Sequence, residues 1–198
     1  MFPKVSPIIP VRRRDLFENA EWLYELKHDG FRALAYVGEG RCRLISRRGN
    51  EMKRFGDLSD FIRKDLKKVR DAVLDGEIVA LDGTGKPAFY DLMKRDCQAV
   101  YYSFDILWLN GRDLRGLSLI ERKIILRSVV ARKSACIGFV SHVDRGALKL
   151  FELVKKEDLE GLVVKRKDGK YAQRTLWYKV LNPTYTQKTG RQDFFQRQ

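Results

Sequence analysis

The sequence contains few cysteines and no long apolar run. Its three cysteines, Cys42, Cys97 and Cys136, lie far apart and are odd in number, which predicts reduced thiols rather than a disulfide framework or a zinc site. No apolar run reaches the roughly 18 residues that cross a membrane. The residues that follow Met1 also lack the apolar core of a signal peptide. We therefore expect a cytoplasmic protein without a membrane partner.

Acidic residues are scarce compared with basic ones. The 198 residues include 40 Lys+Arg and 26 Asp+Glu, which gives a net charge of +14 and a pI near 9.8. A hydrophobic content of 44% is enough for a globular core and argues against disorder. The charge favours a polyanionic partner, above all nucleic acid. The alternative is a solvated basic surface that binds nothing.

Glu25 to Arg32 is the stretch on which the functional hypothesis depends, because it places Lys27 between acidic residues directly after an apolar run. The pattern predicts a strand that carries Glu25 and Lys27 on one face, then an Asp29-Gly30 turn, then a second strand from Phe31 to Val37 that completes a hairpin. A lysine is a nucleophile only as the neutral amine, which a bound divalent cation or nearby arginines would favour. The alternative is a surface hairpin with an ion-paired lysine.

Two other groups of acidic residues enter apolar strands. Asp75-Gly76-Glu77 interrupts an apolar run from Ala72 to Leu81, so we expect two strand segments with a break between them. Glu160 directly precedes a second apolar run, Gly161 to Lys165. A buried, unpaired acid costs several kcal/mol, so these carboxylates should face a ligand, a metal or an arginine. For Asp75-Gly76-Glu77, a tight bend between strands is the alternative.

Lys27-x-Asp29-Gly30-x-Arg32 resembles the nucleotidyl-lysine motif of the ATP-dependent DNA ligases, which belong to the covalent nucleotidyltransferases. Other stretches resemble the remaining family motifs in family order. They are Ser46-Arg47-Arg48-Gly49, Asp75-Gly76-Glu77, Phe104-Asp105-Ile106-Leu107, Glu160-Gly161-Leu162-Val163-Val164-Lys165 and the segment from Tyr171 to Lys179. Motifs matched in order over nearly the whole chain agree with one another, and this agreement makes the resemblance specific.

The resemblance implies an α+β fold with antiparallel sheets flanked by helices, of the ATP-grasp-like nucleotidyltransferase type. It implies a lead-in at residues 1–20, an adenylation domain at 21–182 and a basic tail at 183–198. Residues beyond Lys179 are too few for an oligonucleotide-binding (OB) barrel, so we expect an isolated adenylation domain: a minimal protein, a fragment or half of a two-chain enzyme. The helices predicted from Ser118 to about Lys133 and after Asp144 carry no evident chemistry.

The resemblance also implies a role for each motif residue. Lys27 would attack the α-phosphorus of ATP, and Lys179 would neutralise the α-phosphate as pyrophosphate leaves. Glu77 and Glu160 would hold Mg²⁺ or Mn²⁺, with Asp75 in support. The residues expected to bind the nucleotide or a DNA phosphate are Glu25, Asp29, Arg32, Arg47 with Arg48 as a second, Phe104 as the ring stacked on adenine, Lys165 and Arg174.

The implied reaction forms a lysyl-AMP intermediate and transfers AMP to the 5′-phosphate at a nick in double-stranded DNA, as in DNA repair or recombination. The implied partners are nicked DNA and a separate OB-fold or repair-protein chain, in a nucleoid-associated protein. Leu181 departs from the family, which usually has a second lysine there. The alternatives are an RNA ligase, a capping-type guanylyltransferase, or a nucleic-acid-binding relic without turnover. An NAD-dependent ligase is disfavoured because only 26 residues precede Lys27.

Overall fold

The computed structural model describes residues 2–83, 85–86, 88–94, 98–130 and 134–188. The strands are β1 (Val11–Arg12), β2 (Trp22–Leu26), β3 (Phe31–Gly38), β4 (Arg41–Ser46), β5 (Ala72–Ala80), β6 (Ala99–Leu109), β7 (Arg112–Asp113), β8 (Ile137–Phe139), β9 (His142–Val143), β10 (Gly161–Arg166) and β11 (Trp177–Leu181). The helices are α1 (Gly56–Asp65), α2 (Phe89–Lys94), α3 (Leu119–Val130) and α4 (Ala147–Lys156), with 3₁₀ turns at Lys53–Phe55 and Thr186–Lys188.

The strands form two sheets. The larger one has the order β4-β3-β5-β6-β7, with β8 added parallel to β6, and the smaller one has the order β1-β11-β10-β2-β9. Apart from β8 on β6 and β1 on β11, neighbouring strands are antiparallel. Neither sheet of the described residues closes into a barrel. The predicted α+β class with antiparallel sheets is confirmed.

The predicted hairpin around Lys27 is wrong. Strand β2 pairs with β10 and β9 in the smaller sheet, whereas β3 pairs with β4 and β5 in the larger one. Residues 27–30 therefore connect the two sheets. Gly30 is required at this crossing because a Cβ there would lie 2.0 Å from the Ile78 carbonyl oxygen. Alternating hydrophobicity predicts a strand but does not identify its partner.

The predicted break in the strand at Asp75-Gly76-Glu77 is also wrong. Strand β5 runs without interruption from Ala72 to Ala80, and its pairing with β6 shifts register on both sides of Asp75. The acid is tolerated inside the sheet because Arg32 and Tyr171 bind its carboxylate. The motif is therefore an irregularity in the ladder rather than a bend between two strands.

The helices cover the sheets, and α3 also contributes charged groups to the interior. A capping box closes its N-terminus, where the Ser118 N–H donates to Glu121 Oε2 at 2.9 Å. Its buried face is not wholly apolar: Ile124 is 66% exposed, while Arg122 and Lys123 are fully buried. Both cations are buried because they bind acids of the sheets, a relation that helical spacing cannot show. Helix α4 begins after Gly146 rather than at a cap formed by Asp144.

Two features of composition can be compared with the structure. Cys42 and Cys136 are buried free thiols, and Cys97 lies outside the described residues. Among the described residues, no helix is both long and apolar enough to cross a membrane.

Candidate active site

A cleft of about 510 Å³ has walls from both sheets. Most of the residues predicted to act in function line it together. They are Glu25 and Lys27 from β2 and the loop after it, Arg32 from β3, Arg47 after β4, Glu77 from β5, Phe104 from β6, Lys165 from β10 and Lys179 from β11. These residues are up to 154 positions apart in the sequence, from Glu25 to Lys179, so it is the pairing of the strands that brings them to one cavity.

Lys27 lies at the junction of the two sheets and contacts Glu160. Its Nζ is 2.7 Å from Glu160 Oε2, and its backbone N–H donates to the Gly161 carbonyl oxygen at 2.9 Å. Gly161 has φ +153°, and a Cβ there would lie 2.2 Å from the Val180 carbonyl oxygen. The glycine of this motif therefore lets β10 start close against β11, which places the preceding glutamate beside the lysine.

Glu77 is the second carboxylate of the Lys27 environment. Burial raises its pKa to about 7, with Glu160 and Asp75 adding to the shift, while Lys27 and Arg32 oppose it. Glu77 and Glu160 thus both lie near the Lys27 amine, and the Glu77 carboxyl is only about half ionised near neutral pH. Such a carboxyl is poised to give up its proton when positive charge arrives.

Arg32 belongs to a buried network behind the cleft wall. It donates to both carboxylate oxygens of Asp75, at 3.0 and 2.7 Å, and to the Ile8 carbonyl oxygen. Tyr171 donates to the same carboxylate at 2.6 Å. Burial alone would lower the pKa of Arg32, but the charge of Asp75 and its hydrogen bonds raise it. The arginine is therefore held rigidly, as a bidentate pair is.

The end of the cleft expected to bind adenine is aromatic and contains one buried cation. Phe104 packs edge-to-face on Trp177 at 6.0 Å between ring centroids, and Lys165 Nζ lies 4.3 and 4.1 Å from the two centroids. On the other side of Lys27, the His28 ring stacks parallel on Tyr102 at 4.8 Å. Burial, with Lys27 nearby, lowers the pKa of His28 to about 4, so this imidazole is neutral at pH 7.

Glu25 is clamped by two lysines, one of which the sequence analysis missed. Its two oxygens bind Lys123 Nζ and Lys165 Nζ, each at 2.6 Å, and all three residues are at most 2% exposed. Burial would raise the pKa of Glu25, but the charges of the two lysines lower it overall. Lys123 comes from α3, and no sequence motif marked it. Its only signal was a charged residue on the side of the helix that packs inward.

The more accessible cations of the cleft lie at the end where the phosphates of a nucleotide are expected to bind. Arg47 and Arg48 are exposed residues of the turn after β4, and Lys179 on β11 is half-buried, and all three line the cleft. Neither arginine enters an ion pair among the residues that the structure describes. The buried cations Arg32, Lys123 and Lys165, in contrast, are each ion-paired with a carboxylate.

Three predicted residues are not among those lining the cleft, namely Glu160, Asp29 and Arg174. Arg174 is exposed in a turn before β11, and Asp29 is 3% exposed. The Asp29 carboxylate accepts a hydrogen bond from Tyr185 at 2.8 Å. The segment that carries Tyr185 also donates, through the Asn182 N–H, to the Glu160 carbonyl oxygen at 2.9 Å. Residues 182–185 thus join the two loops that hold Lys27 and Glu160.

The donor set suits a hard cation that shares its ligands with a substrate. Glu77 and Glu160 provide carboxylate oxygens, and no group of three or more His, Cys, Asp or Glu residues is assembled among the described residues. A site with two acids leaves positions for phosphate oxygens and water, which is how proteins usually bind Mg²⁺. The residues therefore fit magnesium bound together with ATP better than a metal enclosed by protein alone.

A family model described as an ATP dependent DNA ligase domain matches residues 12–180. This chain belongs to that family. The ligase domain is 28% identical over 193 residues to the SPbeta prophage-derived DNA ligase-like protein LigB of Bacillus subtilis, which covers 92% of this chain and 69% of that protein. It is 32% identical over 154 residues to the multifunctional non-homologous end joining DNA repair protein LigD of Mycobacterium tuberculosis, covering 77% of this chain and 20% of that protein.

Solved structures agree with this assignment. The ligase domain is similar to mycobacterial DNA ligase D complexed with ATP and MES, with a TM-score of 0.78 and 27% identity, covering 89% of this chain and 60% of that chain. The chain therefore spans between a fifth and about two thirds of the relatives described above. The residues matched by the family model, 12–180, include strands of both sheets.

Proposed function

We propose that the ligase domain uses ATP to form lysyl-AMP at Lys27 and passes the AMP to the 5′-phosphate at a DNA nick. The observation that carries the proposal is that Lys27, which lines the cleft with Glu77, is ion-paired to Glu160, and that the same cleft exposes Arg47 and Arg48, which form no ion pair among the described residues. This geometry suits phosphoryl transfer, which depends on positioning and on charge neutralisation.

In the first step, the Lys27 amine attacks the α-phosphorus. A P–N bond forms, the bond from the α-phosphorus to the bridging oxygen breaks, and pyrophosphate leaves with the electron pair. The lysine must first lose a proton, and Glu160 is the acceptor at hand, 2.7 Å from Nζ. The base would lie against Phe104, with Lys165 behind it, and Arg32 would contact the nucleotide from the wall formed by β3 and β5.

Lys179 and Arg47 supply charge where the phosphates would lie. Lys179 would neutralise the α-phosphate as pyrophosphate leaves, and Arg47 would hold the 5′-phosphate of the nick. Glu77 and Glu160 would hold Mg²⁺, and this ion, when bound, supplies positive charge that stabilises the leaving pyrophosphate. The roles predicted for Asp29 and Arg174 would be indirect, because Asp29 is buried and accepts a hydrogen bond from Tyr185, while Arg174 is exposed in the turn before β11.

In the second and third steps, the 5′-phosphate oxygen displaces Lys27 from the adenylate. The P–N bond breaks, and a 5′-to-5′ phosphoanhydride forms. The 3′-hydroxyl then attacks the 5′-phosphorus, and AMP leaves as the strand is sealed. The +14 charge supports DNA as the partner. We infer nucleoid association for the same reason, and a separate OB-fold or repair-protein chain, as in end joining, as a further partner.

The test is incubation with α-labelled ATP and Mg²⁺, next to the Lys27→Ala variant. We expect label on the parent protein, none on the variant, and release of the label to nicked DNA that carries a 5′-phosphate. Label from GTP alone would instead indicate a capping-type enzyme. Transfer only to nicked RNA would indicate an RNA ligase, and no label on a folded parent protein would indicate a binding protein without turnover.

A further inference from the structure

A second groove of about 540 Å³ opens next to the ATP cleft. One wall is the extended segment of residues 4–9, and the other comes from β3, β4 and the turn after β4. The groove shares Ile9, Ser46, Arg47 and Arg48 with the cleft. We call it the lead-in groove. The two cavities meet at the arginine pair, so a chain-like ligand can pass from one to the other.

The wall formed by residues 4–9 is held in place. Ile8 is 3% exposed, its N–H donates to Tyr171 at 3.4 Å, and its carbonyl oxygen accepts from Arg32. The Phe2 ring packs edge-to-face on Tyr36 at 5.6 Å. The segment is therefore fixed to the same Arg32 network that supports the cleft, and the groove exists before any ligand binds.

The lining of the lead-in groove suits a polyanion with an apolar side. Its charged residues are Lys4, Arg47 and Arg48, and no carboxylate of the described residues lines it. None of these three cations takes part in an ion pair within the described ranges, whereas the neighbouring Arg115 is bound to Asp113 at 2.6 Å. The other lining residues are neutral donors or apolar, namely Val5, Ser6, Pro7, Ile8, Ile9, Leu34, Tyr36, Ile45, Ser46, Gly49 and Gln173. Cations above an apolar floor match phosphates and sugars of a nucleic-acid strand.

We propose that the lead-in groove binds the phosphodiester backbone of the DNA strand that ends in the 5′-phosphate. The proposal rests on the proposed function, because that phosphate must reach the AMP on Lys27 in the cleft. The strand behind it has to leave past Arg47 and Arg48, and the groove begins there. Lys4 and Gln173 then contact the backbone farther from the nick. This assigns DNA binding to residues 4–9, which no sequence motif marked.

The first test compares Lys4→Gln with Lys149→Gln, an exposed lysine on α4 with the same change of charge. Affinity for a 5′-phosphorylated nicked duplex is measured by fluorescence anisotropy at several salt concentrations. We expect Lys4→Gln to weaken binding several-fold and to reduce the salt slope by about 1, since one phosphate contact is lost. Lys149→Gln should change neither. Equal effects of the two variants, or no effect of Lys4→Gln, would overturn the proposal.

The second test identifies the strand. Neutral methylphosphonate linkages are placed near the nick in the strand with the 5′-phosphate, in the strand with the 3′-hydroxyl, or in the continuous strand. For the first duplex alone, we expect the neutral linkages to reduce the affinity of Lys4→Gln less than they reduce the affinity of the parent protein. The reason is that Lys4→Gln already lacks the contact to that phosphate. Coupling of Lys4 to either other strand would overturn the strand assignment. Weaker binding by Lys4→Gln of RNA-containing nicks alone would overturn the assignment to DNA.

Lysyl-AMP formation separates this proposal from the proposed function. Lys4 does not line the ATP cleft, so Lys4→Gln should take up label from ATP at the parent rate. A parent protein that forms lysyl-AMP while Lys4→Gln binds nicked DNA normally would overturn the groove alone. A parent protein that forms no lysyl-AMP but shows the predicted coupling to the first strand would support the groove and contradict the proposed function.

Discussion

The buried charges behind the cleft and the open charges at its mouth have opposite arrangements. In the interior, Arg122 binds Asp105 with both side chains 0% exposed, Glu25 is held by two lysines, and Arg32 is held by Asp75. At the mouth, Arg47 and Arg48 are exposed and have no acidic partner among the described residues. Matched charges fix the shape of the site, and unmatched ones remain available to phosphates. Substitutions on either side of this contrast should therefore have different effects.

The largest expected effect follows from Lys27→Arg. Arginine can keep the ion pair with Glu160, so the domain should fold, but a guanidinium keeps its proton and does not act as a nucleophile. We expect the rate of lysyl-AMP formation to fall by at least about 1,000-fold, a loss typical of removing a nucleophile. The measurement is uptake of α-labelled ATP, with Lys149→Arg as control. A variant that kept a tenth of the parent rate would contradict the assigned role.

Arg122→Met tests the interior side. Arg122 donates to Asp105 at 2.8 and 2.9 Å and to two backbone carbonyls, and its loss would leave a buried carboxylate without its counter-ion. We expect the free energy of unfolding to drop by about 3–5 kcal/mol in denaturant titrations. Arg48→Met, at the mouth, should change it by less than about 0.5 kcal/mol. Similar losses for the two variants would remove the distinction between the regions.

Glu77 is neither ion-paired in the interior nor exposed at the mouth of the cleft among the described residues, and the pH dependence of stability reports whether it is protonated. Its folded pKa of about 7 is above the ordinary carboxyl value, so the folded state binds the proton more tightly. The stabilisation that the Glu77 carboxyl contributes is complete below its pKa in the unfolded chain. It is lost as the pH rises to about 7. As the pH rises from 5 to 8, the free energy of unfolding of Glu77→Gln should therefore increase relative to that of the parent protein by on the order of 1–3 kcal/mol.

Unfolding for the Glu77 comparison is measured with a chelator present, so that no divalent cation binds the carboxylates. Lys149→Gln is the matched control, since its stability relative to the parent should not change over this range. A constant difference between Glu77→Gln and the parent at pH 5 and 8 would show that the Glu77 carboxyl is ordinary.

Tyr185→Phe should have the smallest of these effects. It removes the hydroxyl that donates to the buried Asp29 carboxylate at 2.8 Å and leaves the ring in place. Loss of one hydrogen bond to a charged group should lower the free energy of unfolding by about 1–2 kcal/mol. We also expect slower lysyl-AMP formation, because Asp29 lies in the loop that carries Lys27. Tyr178→Phe is the control. If Tyr185→Phe has the parent free energy of unfolding and the parent rate of lysyl-AMP formation, the Tyr185–Asp29 hydrogen bond does not support the loop.

The sequence predicted the residues of the site better than the connections between strands. Lys27, Glu77, Phe104 and Lys179 could be found because chemistry restricts residue types within short motifs, and all four line the cleft. The β2–β3 hairpin was wrong because local alternation says nothing of which sheet a strand joins. Lys123 was missed for a related reason, since its partner Glu25 is 98 positions away and only the fold brings them together.

The lead-in shows the same limit. A lead-in was predicted at residues 1–20, and in the structure residues 4–9 form one wall of the lead-in groove. No local pattern indicates that Ile8 contacts both Arg32 and Tyr171. Long-range hydrogen bonds of this kind decide which extended segments belong to a site.

Our proposal is that Lys27, held beside Glu160, is the residue that takes up AMP. Its most direct test is peptide mass spectrometry of the protein after incubation with ATP and Mg²⁺. We expect one AMP on the peptide that contains Lys27, lost on exposure to acid or pyrophosphate, and none on Lys165 or Lys179. An AMP located on another lysine, or an unmodified Lys27 in protein that nevertheless seals nicks, would contradict it.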